Sequence, residues 1–233
     1  MIRENLHKLN QKIEEICRKC GRDVSEIILI AVSKNNPISA IEEAQNAGQL
    51  HFGENKAQEL RDKAEVKSDS IYWHFIGHLQ TNKVKYAVHA AEMIHSVDSE
   101  KVLNEIDKRA ANENKKQKIL FEVNTSDESN KFGIKDFDYL YHLVENAFRL
   151  ENVDPKGLMT MAPYTEDQKI IRECFGQLRE WKEKLTTKGF DLPELSMGMT
   201  NDYEIAIEEG STILRIGTAI FGERDYSQMW EKQ

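Results

Sequence analysis

A lysine follows the longest apolar run of the sequence and could act as an amine nucleophile. Residues 27–32 are apolar, and Ser33, Lys34 and Asn35 come directly after them. A short apolar run of this kind is typical of a strand that is buried on both faces. Because partial burial lowers the pKa of a lysine, an amine at the end of such a strand could attack a carbonyl carbon. The alternative, which the spacing alone favours, is a lysine in a solvated loop.

Small polar residues and glycines stand at the ends of three other apolar runs. Glycine lets the backbone approach a ligand closely, and hydroxyl groups can donate hydrogen bonds to a phosphate. An asparagine offers a donor and an acceptor, although its alternative role is to cap a helix. For the other residues the alternative is ordinary turn chemistry. The candidates are Asn55 after the second run, Ser196, Gly198 and Thr200 at the end of the seventh, and Gly217 and Thr218 after the eighth.

An arginine interrupts the last apolar run. Arg215 lies between Leu214 and Ile216, and strand alternation places it on the same face as Gly217. A buried guanidinium must be paired or hydrogen-bonded. A polar ligand at the end of the strand would satisfy this need. The alternative is a buried ion pair with Glu54 or with another carboxylate at the same edge.

Two spacings resemble metal and redox motifs but lack the necessary context. His74 and His78 are spaced as in a zinc-binding helix, but their segment has the pattern of a strand, in which four residues span about 13 Å. One ion therefore does not reach both, although His74 could face a pocket at the end of the strand. Cys17 and Cys20 have a redox spacing, but they close an N-terminal helix instead of opening a helix after a strand. We predict no metal site and no redox site.

Eight apolar runs alternate with segments of helical spacing, which predicts a (β/α)₈ TIM barrel of the α/β class. An additional N-terminal helix covers residues 3–20, and no linker divides residues 1–233, so we expect a single domain. The alternative is a doubly wound open sheet, but no Gly-x-Gly-x-x-Gly motif follows the first run. In a barrel the candidate residues would meet at the C-terminal ends of the strands, where such proteins bind phosphates. The runs are 27–32, 50–52, 72–76, 93–97, 119–123, 157–161, 195–199 and 211–216, and the helical segments between them are 38–47, 55–66, 80–91, 98–112, 135–149, 165–187 and 200–209.

The composition restricts the classes of partner. The chain has 233 residues with 32 basic and 40 acidic side chains, which gives a net charge of −8. A field of this sign repels nucleic acids and anionic membranes. The longest apolar run is far shorter than the roughly 20 residues of a membrane span, and the N-terminal residues lack the apolar segment of a signal peptide. We therefore expect a cytoplasmic protein with no nucleic-acid and no membrane partner.

Seven motifs, taken together and in their order, resemble those of the pyridoxal 5′-phosphate (PLP) homeostasis proteins, the YggS-type family of PLP-binding proteins. The resemblance covers nearly the whole chain. This family is similar to the barrel domain of alanine racemase standing alone. The motifs lie at residues 31–34, 51–55, 73–83, 130–134, 157–162, 195–199 and 215–222.

The resemblance implies a role for each candidate residue. Lys34 would form a reversible Schiff base with PLP, Arg215 would lie near the pyridine nitrogen, and Asn55 would line the pocket. Thr200 stands where the family is expected to have a serine, but it keeps the hydroxyl group. Lys131 is a second, weaker candidate for transient contact with PLP. The residues around the phosphate would be Ser196, Gly198, Thr200, Gly217 and Thr218.

The implied function is PLP homeostasis without catalysis, in which the protein buffers PLP and supplies it to apo-enzymes. The alternative is a PLP-dependent amino-acid racemase. A permanent cation beside the pyridine nitrogen disfavours protonation of that nitrogen and weakens PLP as an electron sink. Alanine racemase also takes its second base from a further domain of about 100 residues, whereas only 11 residues follow Gly222. Tyr164 or Tyr203 could replace that base, but no motif supports this, so we expect a non-enzymatic carrier and, without the dimer contacts of that domain, a monomer.

Overall fold

Eight parallel strands close into a barrel in a computed structural model that describes residues 1–67, 70–126, 128 and 131–222. The strands pair in chain order, and β1 pairs with β8 to complete the ring. The predicted (β/α)₈ TIM barrel is thereby confirmed. The strands are β1 (Ile28–Val32), β2 (His51–Glu54), β3 (Tyr72–Phe75), β4 (Met93–Val97), β5 (Gln117–Glu122), β6 (Val153–Met159), β7 (Glu194–Ser196) and β8 (Ile213–Ile216).

Helices surround the barrel and connect consecutive strands. The additional helix α1 precedes β1, and its buried side chains, among them Leu6, Leu9 and Ile13, form the apolar stripe that the sequence predicts. The helices of the described residues are α1 (Ile2–Lys19), α2 (Ile38–Asn46), α3 (Ala57–Val66), α4 (Val84–Ala90), α5 (Glu100–Asn112), α6 (Phe137–Arg149), α7 (Gln168–Thr187), α8 (Tyr203–Glu208) and α9 (Thr218–Phe221), with 3₁₀ turns at Val24–Glu26 and Thr81–Lys83.

The two faces of the strands pack into separate apolar layers. The outward residues join the helices in one large core, and a smaller cluster lies inside the ring. Residues that pair across neighbouring strands share a face. His74 pairs with Met93 of the inner cluster, and Arg215 pairs with Ile30 of the same cluster, so both polar side chains point into the ring. The inner cluster consists of Ile30, Met93, Leu120, Met159 and Ile213.

Two strands differ from the prediction by three residues or more at one end, whereas the bounds of the others agree to within two residues. β6 begins at Val153 instead of residue 157, and it includes Pro155. The register against β5 shifts beside Pro155, and a bulge of this kind tolerates a residue without an N–H group. β7 ends at Ser196 instead of residue 199, because the chain turns at Gly198 with a φ of +97°.

Several helices also differ in extent. The segment predicted at 80–91 starts with a 3₁₀ turn, and its α-helix begins only at Val84. The helix predicted at 165–187 begins at Gln168, because the side chain of Asp167 accepts the hydrogen bond of the Lys169 N–H and caps it. The helix predicted at 200–209 is shorter, and the sequence does not predict α9, because its 4 residues are too few to show a helical period.

Two further expectations concern the whole chain. No helix in the described ranges is long and apolar enough to cross a membrane. The extent of the domain over residues 1–233 stays a prediction, because residues 223–233 lie outside the described part. Asn130, in the motif at 130–134, lies outside it as well.

Replacing Gly157 by alanine should destabilise the barrel, whereas replacing Gly176 by alanine should stabilise α7. A Cβ at Gly157 would lie 1.9 Å from the carbonyl oxygen of Glu194, so β6 and β7 would have to separate. The nearest atom to a Cβ at Gly176 is a carboxylate oxygen of Glu209 at 3.9 Å. We expect a loss of about 1–3 kcal/mol for Gly157→Ala and a gain of about 0.5–1 kcal/mol for Gly176→Ala. Urea unfolding of the two variants measures both signs, and equal midpoints would contradict the packing described here.

Candidate functional site

A cavity of about 430 Å³ opens at the C-terminal ends of the strands. Its wall contains an amine, a guanidinium, a side-chain amide and two threonine hydroxyl groups, which come from the ends of four strands. The fold thus brings together six of the eight residues that the sequence selects. They are Lys34 after β1, Asn55 after β2, Thr200 after β7, and Arg215, Gly217 and Thr218 at the end of β8.

Ser196 and Gly198 lie behind the cavity wall. Ser196 is fully buried at the end of β7, and its hydroxyl group contacts Arg215 and His95. Gly198 turns the chain towards α8, and a Cβ at this position would lie 2.6 Å from the Cβ of Ala206. Both residues therefore support the wall from behind, and their contact with a phosphate stays a prediction.

Buried carboxylates hold the backbone on both sides of Lys34. The Ser33 hydroxyl donates to Oε1 of Glu54 over 2.6 Å, and the Asn35 N–H donates to Oε1 of Glu59 over 2.7 Å. Asn35 has a φ of +62°, which asparagine adopts more readily than most residues do. These contacts fix the backbone position from which the half-buried Lys34 side chain reaches the cavity wall.

A buried lysine joins the two carboxylates behind Lys34. Lys63 is fully buried, and its Nζ lies 2.8 Å from Oε1 of Glu54, 2.7 Å from Oε1 of Glu59 and 2.9 Å from the carbonyl oxygen of Ser33. Burial raises the pKa of Glu54 to about 7, although the positive charge of Lys63 opposes this shift. Sequence reasoning missed this cluster, because Glu59 and Lys63 have the spacing of an ordinary exposed ion pair on a helix.

Arg215 is buried at the boundary between the barrel interior and the cavity. Its guanidinium donates one hydrogen bond to Oγ of Ser196 over 2.6 Å and another to the carbonyl oxygen of Thr160 over 2.8 Å. The alternative ion pair with Glu54 is wrong, because Glu54 is bound to Lys63. Burial lowers the pKa of Arg215 to about 10, and neighbouring carboxylates oppose this shift. The side chain therefore remains a cation at neutral pH.

Asn55 presents an unsatisfied acceptor at the cavity. Its Oδ1 is buried and has no hydrogen-bond partner among the described residues. The alternative role as a helix cap is wrong, because Lys56 is the N-cap of α3 and no side chain caps that helix. A buried acceptor without a partner is costly, so this oxygen marks a place where a ligand donor or a water would bind.

Hydroxyl groups and close backbone packing form the side of the cavity after β7 and β8. Thr200 and Thr218 both line this side. Gly217 brings β8 close to β1, since a Cβ there would lie 3.2 Å from the carbonyl oxygen of Val32. Asp202 also lines the cavity, and its carboxylate accepts the backbone N–H of Met199. This side thus offers neutral donors to an anion beside one engaged carboxylate.

Lys131, which follows β5, also lines this cavity. Its Nζ donates to the carbonyl oxygen of Ala162 over 3.1 Å and forms an ion pair with Glu128. Both partners line the cavity as well. A second amine is therefore present at this rim, held by groups that a ligand would have to replace.

The spacings that resemble metal and redox motifs, at His74 and His78 and at Cys17 and Cys20, do not form sites in the described residues. His74 points into the barrel interior and does not line the cavity, whereas His78 lies beyond β3 and stacks on Phe132 with ring centroids 3.7 Å apart. Cys17 is buried and Cys20 is exposed, and both are free thiols.

Comparison with known proteins assigns this chain to a family. Residues 5–225 match the family model of the alanine racemase N-terminal domain. The pyridoxal phosphate homeostasis protein of Aquifex aeolicus (strain VF5) is 43% identical over 225 residues, which span 96% of this chain and 98% of that protein. The structure of PipY of Synechococcus elongatus PCC7942 without PLP has 35% sequence identity to this chain and a TM-score of 0.86. The structure of PipY with PLP bound has 34% sequence identity and a TM-score of 0.83. Each comparison with PipY covers 95% of this chain and 100% of PipY.

The chain therefore belongs to the alanine racemase N-terminal domain family. The relatives that match nearly its whole length are pyridoxal phosphate homeostasis proteins, which confirms the resemblance of the seven motifs. Alanine racemase of Clostridium difficile 630 is 11% identical with a TM-score of 0.79, and the match covers 99% of this chain but 58% of that one. This last likeness concerns the fold alone.

Replacing Lys63 by methionine should destabilise the protein strongly and in a pH-dependent way. The change leaves two carboxylates buried together without their cation, which typically costs about 3–5 kcal/mol. Such carboxyl groups have folded-state pKa values above their unfolded values, so the variant should lose stability as the pH rises above about 4.5. Lys67→Met on the same helix is the matched control, since Lys67 pairs with the more exposed Glu42 and should change stability by about 0–1 kcal/mol. Urea unfolding at pH 5 and pH 8 measures both, and a loss that shrinks at the higher pH would contradict the cluster.

Proposed function

We propose that this protein binds PLP in the cavity, holds it as a reversible Schiff base on Lys34, and serves PLP homeostasis in the cell. The observation that carries the proposal is the convergence of Lys34, Arg215 and Asn55 on one cavity. The relatives support it, since they are named pyridoxal phosphate homeostasis proteins and one of them has a structure with PLP bound.

The groups of the cavity fit the chemistry of PLP. An amine condenses with the aldehyde carbon of PLP and releases one water, and addition of water reverses the bond. Lys34 supplies this amine from a backbone position that the Lys63 cluster fixes. Arg215 supplies a hydrogen-bond donor for the pyridine nitrogen, and Thr200 and Thr218 supply hydroxyl donors for the phosphate. A cavity of about 430 Å³ is in the usual range for a small-molecule site.

The charge of Arg215 favours a carrier over an enzyme. PLP accelerates reactions of amino acids by withdrawing electrons through its ring, most strongly when the pyridine nitrogen is protonated. Arg215 is a cation at neutral pH, and its positive charge beside the pyridine nitrogen disfavours protonation of that nitrogen. The protein therefore binds the aldehyde without activating it for further chemistry.

The alternative function is amino-acid racemisation. It requires a second base on the face of the substrate opposite Lys34. Tyr164 lines the cavity, but it is 94% exposed, so packing does not fix the position of its side chain. Tyr203 does not line the cavity, and burial raises its pKa, so its phenol stays protonated at neutral pH and is not ready to accept a proton. Neither tyrosine meets the requirement as well as a fixed side chain would.

Three further parts of the proposal rest on the sequence alone. We expect the protein to act in the cytoplasm, because three cysteines in 233 residues do not form the disulfide framework of a secreted protein. We expect a monomer, and we expect apo-forms of PLP-dependent enzymes to receive the cofactor. Lys131 is a candidate for transient contact with PLP during entry or release, because it lines the same cavity.

Lys34→Ala should abolish covalent capture of PLP. Borohydride reduces a Schiff base and fixes the cofactor permanently on the amine that holds it. Mass spectrometry of the reduced wild-type protein should find the adduct on a peptide that contains Lys34. Lys131→Ala is the matched control in the same cavity and should keep that adduct. An adduct that persists in Lys34→Ala would overturn the assignment.

The loaded protein should transfer PLP but should not exchange α-hydrogens. We expect activation of an apo-enzyme even when a trap removes free PLP, because transfer would then proceed from the protein. We expect no loss of α-deuterium from D- or L-amino acids, because neither Tyr164 nor Tyr203 is a fixed base at the cavity. Transfer that stops in the presence of the trap would reduce the function to buffering, and rapid loss of deuterium would establish the racemase alternative.

A further inference from the structure

A line of hydrogen bonds between histidines crosses the interior of the barrel. Nδ1 of His51 lies 3.0 Å from Nε2 of His74, and Nδ1 of His74 lies 3.0 Å from Nε2 of His95. Nδ1 of His95 lies 3.0 Å from the hydroxyl of Ser196, which in turn accepts from Arg215 over 2.6 Å. We refer to these five side chains as the histidine line.

The histidine line connects opposite ends of the barrel. His51 is the first residue of β2, and its ring stacks at 4.8 Å on Tyr72, the first residue of β3, which is 46% exposed. Arg215 lies near the other end and lines the cavity. Between them His74 and His95 are 1% and 0% exposed. The line therefore starts at the N-terminal end of the strands and ends at the proposed PLP site.

The contacts at Ser196 determine the direction of the donors. Arg215 is always a donor, so it occupies one lone pair of Ser196 Oγ. The described residues offer the serine proton one acceptor, which is Nδ1 of His95. The proton of neutral His95 must then lie on Nε2 and point to Nδ1 of His74. The same argument gives His74 a proton on Nε2, directed to Nδ1 of His51.

Burial keeps the histidines in the middle of the line neutral, and charges at the two ends add to this effect. Burial lowers the pKa of His74 to about 3 and the pKa of His95 well below its usual range, and neighbouring cations strengthen both shifts. Lys118, which pairs with Glu92, lies near His51 at the N-terminal end of the strands, and Arg215 lies near His95 at the end with the cavity. A protonated ring would break the sequence of donors and acceptors, because an imidazolium has no acceptor.

We infer that His95 and Ser196 are positioning residues of the PLP site, which hold Arg215 with its remaining donors directed at the cavity. In this arrangement the hydrogen bonds of the line fix the proton of each of its histidines on Nε2. The inference rests on the proposed function in one respect, since the donors of Arg215 are directed at PLP. Apolar side chains would fill a barrel interior at lower cost, so a line of satisfied polar groups that ends on a ligand-facing cation indicates a role at the site. The arrangement also explains why Ser196 lies behind the cavity wall.

Nuclear magnetic resonance of the cofactor-free protein tests the direction of the line. The ¹⁵N shifts of labelled histidines distinguish a proton on Nδ1 from a proton on Nε2. We expect His74 and His95 to be neutral with the proton on Nε2. A proton on Nδ1 of His95 would reverse the direction at Ser196 and overturn the inference, whatever the protein binds.

Two pairs of variants test the effect on PLP. His95→Leu removes the acceptor of the serine proton, whereas His95→Asn keeps an acceptor near the position of Nδ1. Ser196→Ala removes the hydroxyl, whereas Ser196→Thr keeps it. We expect His95→Leu and Ser196→Ala to raise the Kd of PLP by about tenfold or more and to shift the visible absorption band of bound PLP, with smaller changes in His95→Asn and Ser196→Thr. His142→Leu, on the exposed face of α6, is the control and should change neither value.

Each outcome has a distinct meaning. An unchanged Kd and an unchanged band in folded Ser196→Ala and His95→Leu would overturn the positioning role. If those two variants do not fold, the hydroxyl-retaining and acceptor-retaining variants decide, and a tenfold loss in both would contradict the inference. A wild-type protein that binds no PLP would overturn the proposed function and the role of the line at PLP, while the tautomers measured without cofactor would still stand.

Discussion

One buried cation constrains most of this molecule. Arg215 lies in the last strand of a closed barrel, 4% exposed, and a guanidinium in that position needs acceptors and must not be left unpaired. Ser196 and the carbonyl oxygen of Thr160 supply two of them from β7 and from the end of β6. No carboxylate pairs directly with Arg215 among the described contacts, which leaves its positive charge available at the cavity. The chemistry proposed for the site follows from that charge, since it binds a ring nitrogen without protonating it.

A second buried cation, on helix α3, has the opposite arrangement. Lys63 is fully enclosed by Glu54, Glu59 and the carbonyl oxygen of Ser33, so its charge is neutralised where it stands. The same carboxylates hold Ser33 and Asn35, the neighbours of Lys34. One cluster therefore fixes the backbone where a covalent bond is proposed, and a partly uncompensated cation lies on the neighbouring strand β8. The overall charge of −8 adds nothing to anion binding, so local donors must hold a phosphate.

The sequence predicts what is periodic or lies at strand ends, and it misses what depends on distance in space. Alternating apolar runs and helical segments are sufficient for the barrel, and Lys34 and Arg215 stand out because each adjoins or interrupts an apolar run. The Lys63 cluster and the histidine line are not predictable in this way, because their members come from several strands and helices and look ordinary in sequence. His74 shows this well, since its spacing from His78 suggests a metal motif while its partners are His51 and His95. Ser196 is among the residues that the sequence selects, but only the structure shows that its hydroxyl group contacts Arg215.

A crystal structure of this protein with PLP added tests the central claim most directly. The account predicts continuous electron density from Nζ of Lys34 to the cofactor, the pyridine nitrogen within hydrogen-bond distance of the Arg215 guanidinium, and the phosphate beside Thr200, Gly217 and Thr218. Density for PLP that is not joined to Lys34, or a ring whose nitrogen points away from Arg215, would contradict it.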